Sequence, residues 1–192
     1  MRVAILASGN GSNAEALMND FALVESIEVV LVGSNRRNAG VFERAKIAGV
    51  NSCHFTREDL EGGAFLQQLL ELKVDWVLLA GFLLKIPTDF CRAFENRILN
   101  IHPALLPKYG GKGMFGMNVH EAILDDGEKE SGMTIHFVNE NYDEGAIAFQ
   151  AGINISELNS AEEIASSVLQ LEHEYYPKIA RELILEYQRN LE

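Results

Sequence analysis

The stretch Val3-Ala4-Ile5-Leu6-Ala7-Ser8-Gly9-Asn10-Gly11-Ser12-Asn13-Ala14 decides how this chain folds. A short apolar run stops at a loop of serine, glycine and asparagine, and apolar residues then resume at helical spacing over residues 14–18. Apolar runs this short, bounded by turn formers, read as buried strands, so the order is strand, turn, helix. The same alternation continues outward. A β-branched run at 29–32 predicts a second strand, residues 39–48 a helix closed by Gly49, and Thr56-Arg57-Glu58-Asp59 the capped start of another. Residues 74–80 predict a third buried strand, 87–94 a short helix, 97–101 the next strand, and 118–124 a helix after a glycine-rich loop. Strands that are apolar along their whole length, alternating with helices, imply an α/β fold with a doubly wound, mainly parallel sheet covered on both faces. Ligands then bind at the carboxyl ends of the strands. Past residue 130 the pattern changes. Residues 134–138 and 146–154 predict antiparallel edge strands, and Ser160-Ala161-Glu162-Glu163 is a capping box opening a long C-terminal helix, broken or kinked at Pro177.

The chain's 192 residues suit a single domain over 1–192, and 47% hydrophobic content supplies a core without disulfide or metal staples. Sixteen Lys and Arg against 28 Asp and Glu give a net charge of −12, which repels phosphate backbones and argues against a nucleic-acid partner. Two cysteines far apart in sequence, Cys53 and Cys91, and an opening without a signal-peptide pattern point to a reducing cytosol and a cytoplasmic location. The longest apolar run, residues 76–84, is far short of the roughly 20 residues of a membrane span, so no membrane association is expected.

The loop Gly9-Asn10-Gly11-Ser12-Asn13 has what an anion site requires: little side-chain bulk, free backbone N–H groups and a helix N-terminus. Its spacing Gly9-x-Gly11-x-x-Ala14 also satisfies a dinucleotide fingerprint, although the second strand is followed by no acidic residue for a ribose. Arg36 and Arg37 there would suit a 2′-phosphate, so a phosphate site, an NADP site and a plain turn all remain open. If the loop is a phosphate nest, Gly11→Val is expected to block the phosphate while leaving the fold intact. Further along, Asn100-Ile101-His102-Pro103 begins at a strand's carboxyl end. Strand alternation puts Asn100 and His102 on one side, and Pro103 delays any helix, so an amide donor and an imidazole share a crevice. That pairing suits oxyanion chemistry, or equally a hydrogen-bonded core histidine beside a capping asparagine.

Gly9-Asn10-Gly11-Ser12-Asn13, Ala80-Gly81-Phe82, the run from Asn100 through Leu105-Leu106-Pro107-Lys108-Tyr109, Gly132-Met133-Thr134-Ile135-His136-Phe137-Val138, Tyr142-Asp143-Glu144-Gly145 and Gln150 occur together and in order. With them the chain resembles the folate-dependent phosphoribosylglycinamide formyltransferases along nearly its whole length. The resemblance implies a Rossmann-like formyltransferase fold with a phosphate-binding N-terminal half and a folate-binding, catalytic C-terminal half. It implies transfer of a formyl group from 10-formyltetrahydrofolate, as cosubstrate, to the amine of 5-phosphoribosylglycinamide in purine synthesis. By the same resemblance Asn100, His102 and Asp143 are catalytic, with Asp143 keeping His102 charged. Gly11, Ser12 and Asn13 take the substrate phosphate, and Glu172 contacts the substrate. Leu83, Leu84, Lys85 and Ile86 line the pterin pocket, and Asn139, Glu140, Asn141, Tyr142 and Asp143 close over it. Arg57 matches the family's folate-tail arginine, whereas Leu84 and Lys85 stand where many members carry an arginine. Small-molecule substrates are the implied partners, and the protein is expected to be a monomer or a homodimer.

His136, between Ile135 and Phe137, reads as a structural strand histidine, and by composition alone Asp143 is a turn former. His54, His120 and His173 lack ligand-like spacing, so no metal site is expected. Residues 110–116 read as a mobile loop near the site, and 128–130 as solvated surface. Two other readings stay open: a formyltransferase acting on a charged tRNA or an amino sugar nucleotide, and an NADP-binding oxidoreductase or nucleotide sensor built on the first loop.

Overall fold

The computed structural model describes residues 1–191. The elements in chain order are β1 (Arg2–Leu6), α1 (Ser12–Phe21), β2 (Glu28–Ser34), α2 (Val41–Ile47), β3 (Ser52–His54), α3 (Arg57–Glu61), α4 (Ala64–Glu71), β4 (Trp76–Leu79), α5 (Thr88–Ala93), β5 (Ile98–His102), α6 (Met117–Asp125), β6 (Glu130–Phe137), β7 (Ile147–Asn154) and α7 (Ala161–Leu191). The sheet runs β3-β2-β1-β4-β5-β6-β7. β1 to β5 pair in parallel, and β6 and β7 join antiparallel at one side.

Alternating side chains of the central strands feed two separate cores, which is why these strands are apolar at every position. Val3, Ile5, Leu78, Leu99 and Ile101 pack under α1, α6 and α7, whereas Ala4, Leu6, Val77, Leu79 and Ile98 pack under α3, α4 and α5. The chain leaves β1 in one direction to β2 and later returns on its other side to β4. The loops after β1 and β4 therefore flank the point where strand order reverses, the natural crevice of such a sheet. They are tied together there: Ser8 N–H donates to the Gly81 carbonyl at 3.0 Å, and the Ser8 hydroxyl accepts from Leu83 N–H at 2.9 Å.

Several local expectations are corrected. Thr56 does open a helix through a reciprocal capping box with Asp59, but that helix ends at Glu61, and a separate α4 follows it. Neither α4 nor the short strand β3 was expected from the sequence. β6 starts at Glu130, four residues before the apolar run, because pairing with β7 needs only backbone there. At the start of α7, Ser160 Oγ accepts from Glu163 N–H at 3.2 Å, but the Glu163 carboxylate reaches past Ser160 to accept from Asn159 N–H at 2.7 Å. Pro177 does not break α7, which is helical throughout. The missing N–H leaves the His173 carbonyl without its usual partner, and burial of Ile164, Val168, Tyr176, Ala180 and Ile184 on the same helix outweighs that loss.

Candidate active site

The first loop is shaped by one glycine. Gly11 caps α1 with φ +78°, and a Cβ there would lie 2.5 Å from Val41 Cγ2. No side chain caps α1, so its first N–H groups are left for a ligand, as at any helix start of this kind. Arg44 steadies the loop, donating from Nε to the Asn10 carbonyl at 2.8 Å and pairing with Glu15. The expectation that Gly11→Val leaves the fold intact is therefore corrected: the side chain would strike α2 before it met any phosphate. Positive φ and overpacking together predict a loss of about 2 kcal/mol or more for Gly11→Val, read as a lowered Tm alongside weakened ligand binding. An unchanged Tm would contradict the contact with Val41.

Asn13 points from α1 toward α7, where its Nδ2 donates to Glu172 Oε2 at 2.6 Å. Glu172 is 7% exposed. Burial pushes its carboxyl up to about 7, against the lowering effect of the Asn13 bond. Both line a cavity of about 350 Å³, together with Gly81, Asn100, His120, Phe115 and Met117. Of the three expected phosphate residues, Asn13 lines this space, and Gly11 and Ser12 do not.

At the end of β5 the antiparallel register sets Asn100 opposite His136 and His102 opposite Thr134. Asn100 Nδ2 lies 3.0 Å from His136 Nε2, and His136 Nδ1 is 3.0 Å from the Phe137 carbonyl. His102 Nε2–H donates to the Tyr109 carbonyl at 2.7 Å. Asp143 sits between the two imidazoles: its Oδ2 is 3.8 Å from His102 Nδ1, and its Oδ1 is 3.5 Å from His136 Nε2. Gly111 N–H donates to Oδ2 at 2.8 Å, and Asp143 holds a left-handed backbone, φ 54°. Gly145 lets that turn close, since a Cβ there would collide with the Phe137 carbonyl. Burial pushes the Asp143 carboxyl up, but the neighbouring His136 imidazole, the Gly111 N–H and the His102 imidazole together outweigh it, and the net shift is downward.

His102 differs from expectation. Burial lowers its pKa, and that effect exceeds the raising influence of Asp143 and of the Tyr109 carbonyl, while His136 lowers it further. Asp143 therefore does not by itself keep His102 charged. His102 is 3% exposed and lies behind the cleft wall, whereas Asn100, His136 and Asp143 line the cleft.

That cleft, a cavity of about 340 Å³, is also lined by Leu83, Leu84, Lys85, Ile86, Asn139, Asn141 and Tyr142. Lys85 Nζ stands 5.5 Å from the Tyr142 ring centroid, across the opening. Glu140 and Arg57 are not part of the lining; Arg57 lies on α3, paired with Glu61 at 3.3 Å. For an anionic tail entering this cleft, Lys85→Ala is expected to raise KM several-fold for a carboxylate-bearing ligand, and Arg57→Ala to leave it unchanged. Equal effects of the two substitutions would argue against this placement. The loop 110–116 contributes Gly111, Lys112, Gly113, Met114 and Phe115 to this wall. The two cavities meet at Phe82, Leu83, Asn100 and Phe115, so a ligand in each would face the other at Asn100.

Two site residues escaped the sequence reading. His136 reads as structural from the sequence, although its register opposite Asn100 follows once β5 and β6 are known to pair. His120 gives no local signal; it lines the second cavity with a buried Nδ1 that has no partner among the described residues. No group of three or more His, Cys, Asp or Glu among the described residues could hold a metal ion, and none of their helices is long and apolar enough to cross a membrane.

Residues 1–180 match the formyl transferase family. The chain is 39% identical over 186 residues to the chloroplastic phosphoribosylglycinamide formyltransferase of Arabidopsis thaliana, a match covering 93% of this chain and 63% of the plant protein. It thus spans less than two thirds of that relative's length. It is 33% identical to the phosphoribosylglycinamide formyltransferase of Haemophilus influenzae, over 94% of this chain and 85% of that protein. Among solved structures, the phosphoribosylglycinamide formyltransferase of Anaplasma phagocytophilum superposes with a TM-score of 0.85 at 35% identity, over 95% of this chain and 88% of that one. The enzyme of Bacillus halodurans gives 0.86 at 33% identity, over 96% and 95%. With the family match over residues 1–180 and relatives above 30% identity over most of both chains, the chain belongs to the formyl transferase family.

Proposed function

We propose that this chain transfers a formyl group from 10-formyltetrahydrofolate to the amine of 5-phosphoribosylglycinamide. The observation that carries this reading is the meeting of two cavities at Asn100. One has an apolar floor and a lysine at its opening, suited to a flat heterocycle with an anionic tail. The other reaches the first turn of the uncapped helix α1 at Asn13 and is lined by Glu172, suited to a phosphorylated ribose. The donor supplies an electrophilic formyl carbon. Asn100 offers an amide N–H to the formyl oxygen as charge grows there. Asp143, at the cleft wall beside two imidazoles, takes up the proton that the attacking amine loses as its nitrogen bonds to the formyl carbon, and that proton passes, directly or through water, to the donor nitrogen as its own bond to the formyl carbon breaks and tetrahydrofolate leaves.

Every residue in this reading comes from one chain, so a monomer or each half of a homodimer would carry a complete site. Cysteines without a disulfide suit the reducing cytosol. The test is a formyl-transfer assay with the glycinamide ribonucleotide as acceptor, beside amino-sugar nucleotides, and calorimetry with NADPH. Turnover of the glycinamide ribonucleotide alone supports the reading. Preference for an amino sugar, or tight NADPH binding without formyl transfer, overturns it.

A further inference from the structure

We propose that His136 is a positioning residue for Asn100, holding one N–H of its amide so that the remainder of that amide is offered to the cleft. This rests on the formyl-transfer reading above. The argument begins in the backbone. Asn100 and His136 are direct partners in the antiparallel β5–β6 pair, so strand register fixes the distance between their side chains. A carbonyl can only accept, so the Phe137 oxygen 3.0 Å from His136 Nδ1 places the ring proton on Nδ1. With the proton on Nδ1, Nε2 is the acceptor, and Asn100 Nδ2, at 3.0 Å, donates to it. With Nε2 as acceptor, the end of the Asn100 amide that faces it is Nδ2.

Asn100 makes no other side-chain hydrogen bond among the described residues, and it lines both cavities. His136 is therefore its tether, and the second N–H is the one free for a ligand. A histidine satisfied within the core would need no partner whose other atoms face a cleft. His136 is 2% exposed on an interior strand, so bulk solvent is a poor substitute for its Nε2 as acceptor. The charged and titratable groups facing it are Asp143, 3.5 Å from Nε2, and His102, which approaches the same carboxylate from β5.

The experiment compares His136→Leu, which fills the space without an acceptor, with His136→Gln, whose side-chain carbonyl reaches the position of Nε2. Circular dichroism confirms folding, and kcat and KM are measured for both substrates. His136→Leu should lower kcat about 10²-fold, the scale for losing one aimed donor, with both KM values within about threefold. His136→Gln should recover most of that loss. In an Asn100→Ala background, His136→Leu should cost less than about threefold more, because the group it positions is already gone. Near-normal kcat in a folded His136→Leu protein, equal losses for Gln and Leu, or multiplying losses in the double variant would each overturn the proposal. A measurement without turnover keeps it separate from the functional reading: ¹⁵N shifts of the His136 ring in the free protein should show the Nδ1–H form, and the Nε2–H form overturns the proposal. The Nδ1–H form in a protein inactive with every amine acceptor would support the Asn100 tether and sink the formyl-transfer reading instead.

Discussion

Asp143→Asn should lower kcat by roughly 10²–10⁴-fold, the usual range for a positioned acid or base, with much smaller changes in either KM. His102→Ala is expected to fall in the same range although His102 does not line the cleft, because it acts on Asp143 from behind. The Asp143 carboxylate is held by Gly111 N–H and stands between His102 Nδ1 and His136 Nε2. Removing His102 takes away one of the two imidazoles that hold this carboxyl below its usual range. The two losses should therefore not multiply, and the double variant should be little worse than the poorer single one. The pH profile gives the sign. Asp143 is the largest influence raising the His102 pKa against burial, so Asp143→Asn should move the limb belonging to His102 to still lower pH. Measuring kcat from pH 5 to 9 for the wild type, both single variants and the double variant decides the matter. Independent losses, or an unmoved limb, would show that His102 and Asp143 do not work as a unit.

The fold was legible in the sequence wherever burial dictated residue type along a whole element. The apolar strands β1, β2, β4 and β5 and the loop after β1 announced a parallel sheet, because residues covered on both faces leave no polar alternation. β3 was not legible: three residues at a sheet edge, none fully buried, carry no periodic signal. The early start of β6 was hidden because Ser131 and Gly132 serve backbone pairing and close approach rather than an apolar core. Pro177 misled in the opposite sense, since a local rule was overridden by packing along 31 helical residues.

The candidate site divides along the same line. Asn100, Asp143, Asn13, Glu172 and residues 83–86 meet around one crevice because the sheet brings three strand ends and α7 together, and the family motifs carried that information. The protonation of His102 was not legible, because it depends on how deeply the ring is buried and on the Tyr109 carbonyl. Tyr109 is in turn pinned through its hydroxyl to Asp126 at 2.7 Å and Glu128 at 3.1 Å. No spacing in the sequence announces that residues 126 and 128 anchor the backbone that fixes a histidine tautomer. Arg57 illustrates the converse: its place in the motif order suggested a cofactor contact, but a five-residue helix directs it to Glu61 and away from the cleft.

Glu172→Gln should make the ligand-free protein more stable, and increasingly so as pH rises from 5 to 8. Burial raises the Glu172 carboxyl from 4.5 to about 7, so the folded state holds this proton more tightly than the unfolded state. Below about pH 4.5 both states are protonated and the group contributes no penalty. Between the two pKa values the unfolded chain ionises while the folded one resists, so stability declines as pH rises, and above about 7 the full cost of a buried charge is present. At about 1.4 kcal/mol for each pH unit separating the two pKa values, that cost has an upper bound of about 3.5 kcal/mol. A glutamine keeps the shape and can still accept from Asn13 Nδ2, so it removes the charge without leaving a cavity. For a chain of 192 residues the gain at pH 8 corresponds to several degrees in Tm, shrinking toward zero near pH 5. The same substitution should weaken binding of an acceptor whose hydroxyl or amine donates to Glu172, since an ionised carboxylate is the better partner for such donors. Thermal unfolding of both proteins across this pH range, with and without the ribonucleotide, checks both halves: a Tm difference independent of pH would mean that Glu172 is ionised in the folded protein throughout, at no cost.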